Sequence, residues 1–389
     1  MEQSSWQQMH SINNRRKRRL DEDNDTVKRF KQEDYHIVTT YEDLCNDVQM
    51  EIFDYIDVYY LYKSYRNLNI RFDQLLSDRH LRLHLNTRNI PNQQLYSYCM
   101  EQLFNISDRL VSLKLQAKSA EPTFQFDDRY ELSVFLTSCC PRRFYRLESL
   151  IITQCEFSID QLVSLILDLK CLSKLTILCI YEVKFIGYNI SDIPRMILFE
   201  NYLPQLKTFI FPGVYRSDVS NYTFYTINNN LENLSVRCLP EELFVLFKYS
   251  PKLIYLNVTI YGPCQYFARF FTIPVLPLLK HLKMRLSGVS HNELFMLLKA
   301  MPNLKILELN GYADDKKLFH GEELIKLSSI LPLLMRFLID IESIRPLKID
   351  AEQILVTFTP DHWYQDVECV EHDNYVTLSA TMKKADIFV

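Results

Sequence analysis

One pattern recurs nine times between about residues 105 and 345, and it constrains the fold more than any other feature. Each copy has an apolar residue, two variable residues, a second apolar residue, one variable residue and a third apolar residue. Successive copies begin 22 to 37 residues apart. Apolar and variable residues that alternate in this way are typical of a strand with one buried face. The copies are Leu110-Leu113-Leu115, Leu147-Leu150-Ile152, Leu175-Leu178-Ile180, Leu206-Phe209-Phe211, Leu231-Leu234-Val236, Leu253-Leu256-Val258, Leu279-Leu282-Met284, Leu304-Leu307-Leu309 and Leu334-Phe337-Ile339.

The segments between these predicted strands carry helix signals. Residues 158–161 (Ser-Ile-Asp-Gln) and 290–293 (Ser-His-Asn-Glu) are both capping-box patterns ahead of apolar helical stretches. Pro251 and Pro302 stand two residues before the first apolar position of a copy, where a proline ends a helix. Most of the intervals are within or close to the repeat length of about 20–29 residues found in leucine-rich repeats. The pattern therefore predicts an α/β chain with an irregular leucine-rich-repeat solenoid of about nine repeats over residues 105–345.

Different elements are expected on either side of the repeats. In residues 37–90 the apolar positions 44, 48, 52, 53 and 56 share one helical face, and a second stripe runs from Leu61 to Leu75. This predicts a short all-α module. In residues 346–389, two alternating segments, 367–370 and 375–378, flank a four-residue loop. They predict a β-hairpin that caps the open end of the solenoid.

The first 36 residues are polar and charged, and a tail of this composition is expected to be disordered. It contains two basic clusters about a dozen residues apart, which is the arrangement of a bipartite nuclear-import signal. A solvated tail, kept soluble by charges of both signs, remains an alternative. The candidate import residues are Arg15, Arg16, Lys17, Arg18, Arg19, Lys28, Arg29 and Lys31.

Composition argues against several kinds of function. The chain has only six Gly, and no P-loop, dinucleotide fingerprint or nucleophile elbow, so we expect no enzyme and no cofactor. A net charge of −4 gives no reason to expect nucleic acid or membrane binding. The ten Cys form no Cys-x-x-Cys pair, and no apolar run approaches membrane length, so we expect a cytoplasmic and/or nuclear protein. The best metal candidates do not have closed zinc-ligand spacing, and we expect no metal there: Asp361, His362, Glu368, Cys369, His372 and Asp373.

The variable positions of the predicted strands are the candidate ligand-binding residues, because strand alternation turns them away from the buried leucines. They are mixed in charge, which suits a protein or peptide ligand better than a polyphosphate chain. The candidates are Ser112, Lys114, Ser149, Ile151, Thr176, Ile177, Thr208, Ile210, Tyr255, Asn257, His281, Lys283, Ile306 and Glu308.

The helical segment and the repeats together resemble the F-box and leucine-rich-repeat proteins, which are substrate-recognition subunits of cullin-RING ubiquitin ligases. The F-box resemblance covers about residues 41–82, although Cys45 stands where the family has Pro and Tyr60 where Asp is usual. The resemblance implies a non-catalytic adaptor of an SCF-type ligase, with a Skp-type adaptor on the helices and a protein substrate on the repeats. The residues implied in adaptor docking are Leu44, Val48, Ile52, Phe53, Ile56 and Leu61.

The alternative is a freestanding leucine-rich-repeat scaffold for protein interactions, in which the N-terminal helices only cap the first repeat. Exposure of the apolar face of Leu44, Ile52 and Phe53 would favour docking, and burial would favour a cap.

Overall fold

The computed structural model describes residues 41–91, 94, 97–116, 141–186, 192–214, 226–260, 273–343, 351–358, 364–372 and 375–383. The chain divides into two compact units, Met1–Gln49 and Met50–Val389. The predicted tail and its candidate import residues lie outside the described residues. No helix among the residues described is long and apolar enough to cross a membrane.

Ten α-helical segments occur in the described part of the chain, and from α4 onward each lies between two strands. Short 3₁₀ turns occur at Tyr41–Asp43, Thr87–Asn89, Pro141–Arg143 and Lys316–Phe319, and a π-helical turn covers Tyr98–Leu103. The helices are α1 Asn46–Phe53, α2 Val58–Tyr65, α3 Ile70–Ser77, α4 Phe104–Ile106, α5 Ile159–Leu169, α6 Asp192–Leu198, α7 Pro240–Tyr249, α8 His291–Lys299, α9 Gly321–Ser329 and α10 Ala351–Val356.

Fourteen strands occur in the same described ranges: β1 Leu83–Asn86, β2 Leu110–Gln116, β3 Ser149–Thr153, β4 Glu156–Ser158, β5 Ile177–Tyr181, β6 Lys184–Ile186, β7 Thr208–Val214, β8 Asn233–Cys238, β9 Tyr255–Ile260, β10 His281–Ser287, β11 Ile306–Ala313, β12 Arg336–Ser343, β13 Tyr364–Glu371 and β14 Val376–Lys383. Twelve of them form one sheet in the order β1-β2-β3-β5-β7-β8-β9-β10-β11-β12-β14-β13, while β4 and β6 pair separately. Neighbours from β1 to β12 are parallel, and β14 is antiparallel to both β12 and β13.

The apolar residues of the recurring pattern are in register across the sheet. Leu256, Leu282, Leu307 and Phe337 follow one another on β9 to β12 and are at most 1% exposed. The residues between them stay partly exposed, so one face of the sheet belongs to the core and the other does not. The predicted capping boxes at the starts of α5 and α8 are confirmed.

The helices α2 and α3 begin at side-chain caps. The Asp57 carboxylate accepts a hydrogen bond from the Tyr59 amide at 2.9 Å, and Asn69 accepts one from the Phe72 amide at 3.0 Å. The other Asp57 oxygen accepts from the Asn86 amide at 2.6 Å, which attaches the start of α2 to strand β1. Burial raises the pKa of this carboxyl, and the two backbone hydrogen bonds oppose that rise.

The predicted fold class is wrong. The strands form one open, mostly parallel sheet of twelve rather than a solenoid, and the described residues show no separate all-α module before it. The predicted module of residues 37–90 includes β1, which pairs with β2 in the sheet, and the boundary between the two compact units falls after Gln49. The apolar pattern determines which side of each strand is buried, but it carries no information on how successive strands curve, and this explains the error.

The C-terminal hairpin also has a different role from the one predicted. Strands β13 and β14 flank the expected turn, but β14 pairs with β12 from Arg336–Lys383 to Glu342–Thr377. The hairpin therefore continues the sheet by two strands and is not a separate cap.

Candidate protein-binding face

The partly exposed side of strands β2 to β12 is the candidate functional site, and we call it the open face. It contains most of the variable positions singled out from the sequence. Thr176 is an exception, because it precedes β5 and its amide and hydroxyl donate to the Glu148 carbonyl at 2.9 and 3.3 Å. Sequence reasoning missed Cys179 because it chose Thr176 and Ile177 in that copy of the pattern instead. It missed other members because it stopped at the third apolar residue or skipped whole strands: Asn233, Ser235, Arg237, Thr259, Arg285, Asn310, Arg336, Leu338, Asp340 and Glu342.

The open face of β3, β5 and β7 carries no charged side chain at its described positions, and we call it the uncharged zone. Ile151, Cys179 and Ile210 are consecutive partners in register, and Ile177 lies beside them on β5. Cys179 is buried, and burial raises the pKa of its thiol to about 11. This thiol is therefore a small apolar group at neutral pH, and the zone offers an apolar contact surface.

Side-chain hydrogen bonds connect neighbouring strands next to the uncharged zone. The Asn233 amide donates to the Thr208 hydroxyl at 3.1 Å, and the Asn257 amide donates to the Ser235 hydroxyl at 3.1 Å. These bonds occupy polar groups on β7, β8 and β9 and keep their side chains in place across the sheet.

Strands β8 to β10 form the basic zone, defined by Arg237, Lys283 and Arg285. Arg237 and Arg285 both pair in register with Thr259, which lies between them on β9. His281 is on the same face, with its ring 4.8 Å from that of Tyr255 in an edge-on arrangement. None of the described open-face positions on these three strands is a carboxylate.

The acidic zone follows on β11 and β12 and is defined by Glu308, Asp340 and Glu342. Glu308 borders the basic zone: one carboxylate oxygen is 3.1 Å from His281 Nε2, and the other is 3.4 Å from Lys283 Nζ. Asp340 and Glu342 are exposed. From β3 to β12 the open face therefore changes from uncharged to basic to mainly acidic, with Lys114 on β2 and Arg336 on β12 as further cations on the same face.

The described residues hold no group of three or more His, Cys, Asp or Glu side chains that could bind a metal ion. Of the metal candidates considered from the sequence, Glu368 and Cys369 lie on β13, and His372 follows it with its ring stacked on Tyr375. The other three, at positions 361, 362 and 373, are outside the described residues. The described part of the open face presents apolar, hydrogen-bonding and charged side chains.

The residues expected to dock a Skp-type adaptor differ in exposure. In the first unit, Leu44 is partly exposed and Val48 is 39% exposed. In the second unit, Ile52 and Ile56 are partly exposed and Leu61 is fully buried.

Phe53 is also fully buried, with its ring 5.0 Å from Tyr65 and 6.4 Å from Phe72. Phe53 and Leu61 therefore pack inside the helical segment and do not reach its surface. Two exposed apolar residues that the sequence argument missed are Tyr55, at 85%, and Ile70, at 77%. Each lies off the apolar stripe that identified the helices.

No protein-family profile matches this chain, and no curated protein matches it significantly.

Proposed function

We propose that this protein is a non-catalytic recognition subunit of an SCF-type ubiquitin ligase, which binds a protein substrate on the open face and a Skp-type adaptor through its N-terminal helices. The observation that carries the proposal is the asymmetry of the sheet. Its leucine face is buried, whereas the open face presents apolar, basic and acidic zones side by side.

The size of the open face suits a protein ligand. Nine adjacent strands, β2 to β12 without β4 and β6, have eight spacings of about 4.8 Å and so cover about 38 Å. Five residues along each strand add about 17 Å in the other direction. The area given by these two lengths is comparable with the area of about 800 Å² that each partner buries in a standard protein–protein interface.

Adaptor docking is supported by the sequence resemblance and by apolar side chains that the second unit leaves in contact with solvent. Ile52 and Ile56 are partly exposed, and Tyr55 is almost wholly so. Exposed apolar side chains close together mark interaction surfaces more often than isolated ones do. Phe53 and Leu61 stabilise this segment from inside, so the proposal assigns them no direct contact with the adaptor.

The docking proposal is tested with the full chain and a purified Skp-type adaptor by titration calorimetry. Ile52→Asp places a charge among the exposed apolar residues, and we expect affinity to fall by about 20-fold or more, as for a central interface anchor. Leu167→Asp on α5 is the matched control, because Leu167, like Ile52, is an aliphatic side chain on a helix and is in contact with solvent. No adaptor binding by the wild-type chain, or an equal loss in both variants, would contradict docking.

The second candidate is a freestanding protein-interaction scaffold without ligase association. The complete burial of Phe53 and Leu61 favours it, because helices that pack their strongest apolar residues inward can serve the fold alone. This candidate predicts that the wild-type chain binds a ligand on the open face but shows no affinity for the adaptor.

We also propose that the protein acts in the cytoplasm, the nucleus or both, with import directed by the basic clusters at 15–19 and 28–31. Deletion of residues 1–34 from a fluorescent fusion should reduce the nuclear fraction measured by microscopy. An unchanged distribution would refute import by these clusters.

A further inference from the structure

One row of residues crosses all three zones of the open face. Each member is the register partner of the next, on strands β3, β5, β7, β8, β9, β10 and β11. The row begins with apolar side chains, continues with two small polar ones, and ends with a cation and an anion: Ile151, Cys179, Ile210, Ser235, Asn257, Lys283 and Glu308.

We propose that the open face binds an extended acidic segment of a partner protein, which lies across the strands along this row. An apolar side chain of the segment contacts the uncharged zone, and its carboxylates contact the basic zone. This inference deepens the proposed function, on which it rests, by specifying the chemistry of the substrate segment.

The distance between the uncharged zone and the basic zone determines how many residues separate the apolar residue of the ligand from its first acidic residue. Ile210 and Lys283 are separated by three strand spacings, or about 14 Å. An extended chain advances about 3.4 Å per residue, so the apolar residue and the first acidic residue are about four positions apart.

Arg285 is the cation best placed to receive a ligand carboxylate. It is exposed, and it forms no ion pair with any residue that the structure describes. Lys283, two residues earlier on the same strand, is already 3.4 Å from Glu308. Guanidinium groups suit carboxylates because their paired N–H groups match the two oxygens.

The acidic zone limits where the ligand's negative charge can lie. Glu308, Asp340 and Glu342 would repel carboxylates placed beside them on β11 and β12. Arg336, at the start of β12, is the one cation among the described open-face positions of these two strands, so the basic zone is the better place for the ligand's acidic residues. The same argument disfavours a nucleic acid, whose phosphates carry charge at every nucleotide. A continuous phosphate chain along the row would meet apolar side chains on one side and carboxylates on the other.

The test uses the full chain and three fluorescein-labelled peptides in a serine–glycine background, with affinity measured by fluorescence anisotropy. The first peptide has a leucine followed four residues later by three glutamates. The second has the same composition with the leucine moved next to the glutamates, and the third has lysines in place of glutamates. A single-stranded RNA of matched length is the fourth probe.

We expect the first peptide to bind about tenfold or more tightly than the other probes. Arg285→Glu should lower its affinity by about tenfold or more and increase affinity for the lysine peptide, because like charges repel at an interface. Ile210→Asp should also weaken the first peptide. Lys299→Glu, the same kind of charge reversal on α8, should leave all affinities unchanged. Thermal unfolding of each variant confirms that it is folded.

Three results would overturn the proposal: no binding of the first peptide, an equal effect of Lys299→Glu, or tighter binding of the RNA. The adaptor titration is measured separately with the same preparation. If the chain binds the adaptor but not the first peptide, only the acidic-segment proposal is refuted. If it binds the first peptide but not the adaptor, only ligase membership is refuted.

Discussion

Replacement of Leu307 by alanine should destabilise the protein far more than replacement of its neighbour Glu308, although the two are adjacent on β11. Leu307 is fully buried, and its register partners Leu282 and Phe337 are 0% and 1% exposed. Truncation of a buried leucine costs about 2–5 kcal/mol, increasing with the cavity that remains. Because paired strands on both sides hold the neighbours in place, we expect a value in the upper half of that range.

Glu308 points to the opposite face, and its side chain is 22% exposed. Its side chain makes a hydrogen-bond contact with His281 at 3.1 Å and a partly solvated ion pair with Lys283 at 3.4 Å, and each contributes about 0–1 kcal/mol. Glu308→Ala should therefore cost about 1 kcal/mol or less, and the cost should decrease in high salt.

The assay is urea denaturation of the full chain followed by circular dichroism, in about 0.1 M and about 1 M salt. A lower midpoint at constant slope reports lost stability. If Glu308→Ala lowered the midpoint as much as Leu307→Ala, the assignment of these residues to opposite faces of β11 would be wrong. The definition of the open face would then fail with it.

Two further predictions concern the cost of a side chain at two glycines and the reactivity of two cysteines. Gly311→Ala should cost about 2 kcal/mol or more by thermal unfolding, because Gly311 has φ +103° and a Cβ there would meet a backbone oxygen at 2.5 Å. Gly288→Ala, at φ +75° with nothing within 4 Å, should cost about 1 kcal/mol, and equal costs would show that the contact does not matter. Cys179 should resist alkylation by iodoacetamide at pH 8, because its pKa of about 11 leaves little thiolate, whereas the exposed Cys45 should react. Mass spectrometry that finds both modified at similar rates would refute the burial of Cys179.

The open face could be predicted in part. The pattern around Leu282 and Leu307 correctly turns His281, Lys283 and Glu308 away from the core, because alternation is a local property of an extended chain. Arg285 was missed because the pattern ends at Met284, while the strand continues to Ser287. Local periodicity does not show where a strand stops.

The adaptor-docking residues illustrate a different limit. Helical spacing places Ile52, Phe53 and Ile56 on one stripe, and a stripe is the expected sign of either a core face or a docking face. The structure separates them: Phe53 packs against Tyr65 and Phe72, while Ile52 and Ile56 remain partly exposed. Only the neighbouring helices decide which part of an apolar stripe they cover.

The sequence by itself determined the approximate positions of the nine repeated strands, most of their buried residues and the capping boxes at Ser158 and Ser290, because each depends on residues close together in the chain. Only the tertiary structure decided that the strands form one open sheet of twelve, that β1 and the C-terminal hairpin join it, and that the open face has three zones of different charge. Those properties depend on which residues become neighbours across strands, and residues 22 to 37 positions apart in the chain carry no local signal of that pairing.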